Sequence, residues 1–260
     1  MYRWMLALLL GASTLGIASA AAEVSHQEPE PAKPSADAKA ALQHAASIRR
    51  EARGQDADAK REIYLRSAEA YAVIVERFAS EPQVVLEATF RQAELRRLAG
   101  DVDIATGLYE QVASSDREGP FGARAQLEIG HLYRRAKQWA TAEASYEKVW
   151  TEHPGQTVYG ARAMIWAGKA AESDGRLEAG RALFRRAIET FSQHPAQGVQ
   201  AFDALATSLL KAGDREGAEA VVAECEGWVD GTFEPGSKER ETARSSFEKM
   251  RVRKRLAKEG

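Results

Sequence analysis

A turn flanked by small residues recurs through this chain at almost constant spacing. The phrases "AGDVDIATGLYEQV", "AKQWATAEASYEKV", "DGRLEAGRALFRRA" and "AGDREGAEAVVAEC" align on Gly100, Lys137, Gly175 and Gly213, which stand 37, 38 and 38 residues apart. Seven positions before each turn sits a small residue: Ala93, Gly130, Gly168 and Ala206. Five after it sits another: Ala105, Ala142, Gly180 and Ala218. Four further on come Tyr109, Tyr146, Phe184 and Val222, and three beyond those Val112, Val149, Ala187 and Cys225. The two small columns keep a gap of 12 in every copy.

Residues three and four apart share one face of a helix. From Ala38 onward the chain is Ala-rich, lacks the alternation of strands and is interrupted at regular intervals, so an all-α chain of helix hairpins is predicted. Small residues on consecutive helices let the pair cross closely, and the bulky one fills the groove beside the crossing. Glycine at the turn takes the left-handed conformation that ends the first helix without a Cβ penalty. Lys137 is the exception, at a cost of about 1 kcal/mol in that geometry. Asp101 and Asp214 fall where the second helix needs an N-cap. A single hairpin cannot cover its own apolar face, so hairpins stack and each buries its neighbour.

The pattern resembles the tetratricopeptide repeat. The resemblance spans residues 84–229 as four repeats, with a degenerate hairpin at 38–83, where Ser67 and Tyr71 fall 38 residues before Ala105 and Tyr109. Pro154, and less regularly Pro82 and Pro195, stand near the place of the proline that closes a family repeat. The usual period is about 34 residues, and three or four added residues are about one helical turn, which keeps the packing faces in register. Thr89, Gln126 and Met164 occupy the position of the family's large first-helix aromatic, which only Phe202 keeps. The resemblance implies a right-handed α-solenoid whose first helices line a concave groove.

The chain opens "MYRWMLALLLGASTLGIASAAAEVSHQ". Arg3, an apolar run from Leu6 to Ala18 and the small-x-small sequence Ala18-Ser19-Ala20 have the layout of a cleaved secretory signal over residues 1–20. An uncleaved anchor is the alternative, although the run is short for a membrane span. Residues 21–37, with Pro29, Pro31 and Pro34 among charges, read as an extended linker. A bacterial periplasm is the expected compartment. Extended repeats behind an export signal are similar to those of two envelope groups, the periplasmic coordinator associated with the Tol–Pal system and the helical-repeat component of outer-membrane β-barrel assembly. The chain departs from the first in lacking a sustained heptad over 38–80, and from the second in lacking a cysteine for lipid attachment.

After residue 229, "GWVDGTFEPGSK" supplies a turn-rich break at 230–237, and residues 238–260 form a charged helix with nine Lys or Arg against four Asp or Glu. Its thin stripe of Ala243, Phe247 and Met250 suits a helix that caps the open end of the stack. Its basic excess suits an anionic membrane surface or envelope polymer. The sequence leaves both open.

The net charge of −2 argues against a nucleic-acid binder. No nucleophile elbow, phosphate-binding glycine loop, zinc-protease helix or EF-hand occurs. No catalytic residue, cofactor or metal is therefore expected, and the chain reads as a non-enzyme. His153-Pro154 and His194-Pro195 read as helix ends, where a cationic side chain suits the dipole. Cys225 shares a column with Val112, Val149 and Ala187 and reads as a buried small hydrophobe, and Glu143 and Glu147 read as solvated helix surface.

The resemblance places functional weight on first-helix residues flanking the small column: Glu87, Phe90, Glu94 and Arg97; Arg124, Leu127, His131 and Arg134; Arg162, Ile165, Lys169 and Glu172; then Gln200, Asp203 and Thr207. Arg124, Arg134, Arg162 and Lys169, with Leu127 and Ile165 as apolar footholds, would make a basic groove for a peptide with acidic residues or a free carboxylate. The family's asparagine-based carboxylate grip is excluded, because the chain contains no asparagine. The expected function is a scaffold that binds a protein or peptide of an envelope complex in this groove.

Overall fold

A computed structural model describes residues 33–256. Among the described residues there are eleven helices and no strand: α1 (Ala36–Arg50), α2 (Ala57–Arg77), α3 (Pro82–Ala99), α4 (Val102–Ser115), α5 (Pro120–Arg135), α6 (Trp139–Glu152), α7 (Thr157–Ser173), α8 (Leu177–Thr190), α9 (Pro195–Lys211), α10 (Arg215–Thr232) and α11 (Lys238–Leu256). The signal expected over residues 1–20 and most of the linker expected over 21–37 lie outside the described residues. Helix α1 begins inside that linker segment, because Ser35 caps it: its Oγ accepts from the Ala38 N–H at 3.1 Å. Ser35 is itself held by Glu81, whose carboxylate accepts from the Ser35 N–H at 2.9 Å and from its hydroxyl at 2.8 Å.

The four turn residues all take the left-handed conformation, with φ of +90° at Gly100, +58° at Lys137, +84° at Gly175 and +82° at Gly213. Each closes the same pair of backbone bonds. The residue after the turn donates back to Arg96, Tyr133, Ala171 or Leu209, at 2.9, 3.0, 2.9 and 3.0 Å. The turn residue donates to Arg97, Arg134, Glu172 or Leu210, at 3.2, 3.1, 3.0 and 3.0 Å. These are Schellman closures, which satisfy carbonyls that the end of a helix leaves orphaned. Asp214 caps α10 by accepting from the Gly217 N–H at 2.8 Å. Asp101 does not cap α4; its carboxylate is taken instead by Arg61 and Arg96, each at 3.2 Å. Pro82 and Pro195 do not close repeats. They open α3 and α9, as Pro120 opens α5, a position where the missing N–H would be unpaired in any case.

The hairpins α3–α4, α5–α6, α7–α8 and α9–α10 stack in chain order, each second helix packing on the next first helix. Every member of the two small columns is buried. Successive first helices also touch (α3 with α5, α5 with α7, α7 with α9), whereas successive second helices make no comparable contact. The first helices therefore lie on the tighter, inner side of the stack. The first-helix column of Thr89, Gln126, Met164 and Phe202 is buried throughout. Gln126 is accommodated there by donating from Nε2 to the Ser145 carbonyl at 3.0 Å. In the first hairpin, Ser67 and Tyr71 are buried too, and the Ser67 hydroxyl donates to the Ala45 carbonyl at 2.8 Å.

At the far end α11 lies across α9 and touches α10, with Ala243, Phe247 and Met250 fully buried in the last core cluster. Arg240 and Arg244 both pair with Asp230, and Arg251 pairs with Glu248.

Candidate partner-binding groove

The inner face is rotated by one residue from the sequence expectation. Phe90, Leu127 and Ile165, expected as exposed footholds, are at most 6 % accessible. The cause is the triangular packing of three helices. The Phe90 ring lies 5.6 Å from that of Tyr109 on its own hairpin and 5.7 Å from that of Phe121 on the next first helix. Leu127 belongs to the core around Tyr146, and Ile165 to that around Phe184 and Phe202. The half-exposed residues are those one position later, Arg91, Glu128 and Trp166.

The expected cations separate into three situations. Arg124 is neutralised: it pairs with Glu94 at 2.9 Å and lies 4.4 Å above the Phe90 ring. Arg97 pairs with Glu128 at 3.9 Å, and Arg91 with Glu94 at 2.8 Å. Arg162 is exposed and stands apart, 5.9 Å from the Tyr159 ring. Arg134 of α5 and Lys169 of α7 converge on Trp166, at 4.7 and 4.4 Å from its ring centre. Among the described residues neither forms an ion pair with a carboxylate.

His131 completes this cluster. It meets Trp166 edge-on at 5.1 Å, and its Nδ1 shares a 2.6 Å hydrogen bond with the Tyr146 hydroxyl. Burial, reinforced by Arg134, Arg135 and Arg97, pushes the imidazole down to about 4, so it is neutral at pH 7. Burial also lowers the Lys169 ammonium, outweighing the opposing attraction of Asp203. The indole face thus carries two partly desolvated cations, each drawn to the ring quadrupole. Chemically, this arrangement can bind carboxylates and stack against planar groups.

Other singled-out residues have structural surroundings. His153 is buried, and its Nδ1–H donates to the Arg117 carbonyl at 2.8 Å, so it ties the end of α6 to the loop between α4 and α5. His194 is not at a helix C-terminus. It is the N-cap residue of α9, 2.7 Å from the Thr157 hydroxyl, and burial lowers its pKa. Cys225 is fully buried, which pushes its thiol up to about 12. Glu143 is half-buried and pairs with Arg176. Trp166 went unnoticed in the sequence, where its signal is a tryptophan directly after the predicted groove position Ile165.

Residues 124–155, the hairpin α5–α6 with the loop after it, match the family described as tetratricopeptide repeat. No curated protein matches the chain in sequence. The fold is shared with solved helical-repeat structures. One is BtubC (BKLC) from P. vanneervenii, 17% identical over 78% of this chain and 93% of that one, with a TM-score of 0.52. Another is MamA, residues 41 to the end, from Desulfovibrio magneticus RS-1, 17% identical over 77% of this chain and 99% of that one, with a TM-score of 0.50. The fold is a repeat-built, all-α stack of helix hairpins. Within that stack, the hairpin at 124–155 is similar to the tetratricopeptide repeat.

Proposed function

We propose that this protein is an exported, non-catalytic scaffold of a bacterial envelope complex that holds a protein or peptide partner on its concave face. The export part of the reading is supported by the signal-like opening of the sequence. The observation that carries the binding part is the convergence of Arg134 and Lys169 on Trp166, two inner-face cations with no carboxylate partner among the described residues. Replacing both with glutamate should abolish capture of the partner from envelope extracts, and unchanged capture would remove the groove. Arg124→Glu is a poorer test, because Arg124 is already paired with Glu94. Export is tested separately: the mature protein in a periplasmic fraction should begin at or near Ala21. Full-length protein retained in the membrane would favour the uncleaved anchor.

Binding of an anionic surface by the C-terminal helix gains less support. The apolar stripe of α11 is consumed by the core, and Arg240, Arg244 and Arg251 are each paired.

A further inference from the structure

The regular stacking of first helices fails at one place. Helices α3, α5 and α7 each touch the next of their kind, but α1 makes no comparable contact with α3. A cleft of about 900 Å³ opens there, over α2. Its floor is apolar and tyrosyl: Leu42 and Ala46 of α1, Tyr64 and Tyr71 of α2 and Leu95 of α3. Around that floor stand Arg49, Arg50, Arg53, Lys60 and Arg91, against a single lining carboxylate, Glu87.

Two of these cations have local duties. Arg91 is shared between Glu87 at 3.8 Å and Glu94 at 2.8 Å, and the Arg50 Nε–H donates to the Ala46 carbonyl at 3.4 Å. Arg49, Arg53 and Lys60 form no ion pair among the described residues, and Arg49 and Arg53 are exposed. Complementing the end of α1 would account for Arg49 and Arg50. It does not account for Arg53, beyond the helix, or for Lys60 on the next helix facing the same space.

We infer that the cleft between α1 and α3 is a second binding site, for an acidic, amphipathic peptide segment whose carboxylates meet Arg49, Arg53 and Lys60 while an apolar side chain rests on Leu42, Tyr64 and Leu95. The site is independent of the Trp166 cluster. Its charge selects an acidic ligand, and guanidinium forks suit carboxylates. The open apolar floor between the cations suits a side-chain-bearing peptide better than a bare anion.

The test uses the full chain and a fluorescein-labelled peptide of alternating Glu-Glu and Leu-Leu pairs, followed by fluorescence anisotropy. Saturable binding should weaken roughly tenfold or more in Arg49→Glu/Arg53→Glu and stay unchanged in Arg134→Glu/Lys169→Glu. A Lys-for-Glu version of the peptide should not bind. Equal binding by wild type and the Arg49/Arg53 variant, with both showing the same melting curve, would overturn the site. So would displacement of the peptide by equimolar inorganic pyrophosphate, or tighter binding to vesicles containing anionic phospholipid than to the peptide, since either assigns the cations to phosphate. Weakening only in the Arg134/Lys169 variant would likewise overturn this cleft while supporting the groove.

Discussion

Gly168 and Gly180 face each other across the α7–α8 crossing. A Cβ on Gly168 would stand 2.9 Å from the Gly180 carbonyl oxygen, and one on Gly180 would stand 2.7 Å from the Gly168 carbonyl oxygen. The nearest atoms are side chains, the Phe184 ring at 2.5 Å from the first and the Glu172 Cγ at 2.6 Å from the second, but the two carbonyl oxygens are backbone and cannot rotate away. Gly168→Ala and Gly180→Ala should each destabilise the protein by about 1–3 kcal/mol, the usual range for overpacking. Urea denaturation measures this. Gly107→Ala is the control: nothing lies within 4 Å of its Cβ position in α4, so alanine there should stabilise by about 0.5–1 kcal/mol.

Lys137 holds the left-handed position that glycine fills at 100, 175 and 213. Lys137→Gly should relieve strain while keeping both Schellman bonds. A net gain of about 0.5 kcal/mol is expected, because the more flexible unfolded glycine offsets part of the relief. A shift of the urea midpoint to higher concentration checks it.

His131 makes stability depend on pH in a known direction. In the unfolded chain the imidazole takes up a proton near pH 6.5, and in the folded chain only near pH 4. Between those values the unfolded state binds more protons. The contribution is therefore complete above pH 6.5 and is lost as pH falls through the folded value. It amounts to roughly 1–3 kcal/mol, discounted for the partial exposure of the ring. His131→Gln should lose less stability than wild type between pH 7 and pH 4.5. Parallel declines in urea titrations at the two pH values would contradict this.

The hairpins, their turns and their crossings were legible in the sequence because each is dictated locally. A left-handed turn and a backbone-to-backbone crossing admit few side chains, so glycine and alanine mark Gly100, Gly130, Gly168 and Gly180 without reference to the rest of the molecule. The orientation of the groove was harder to read. Phe90 is buried because Phe121, from the following repeat, lies beside it, and such burial between repeats is not encoded within one helix. The fate of Arg124 was hidden for the same reason, since its partner Glu94 is 30 residues away on another helix. The cleft at α1 had no visible signal, because it arises from a looser approach of α1 to α3 than of the later first helices to one another.

Site-specific photocrosslinking in cells tests partner binding at the Trp166 cluster without purification. A photoreactive residue replaces Trp166 in one strain and the exposed, outer-helix Lys148 in another, and the products are identified by mass spectrometry. A discrete partner should crosslink from position 166, be absent from position 148 and be lost when Arg134 and Lys169 are reversed to glutamate. Capture of the same partner from both positions, undiminished by the reversal, would contradict binding at that cluster.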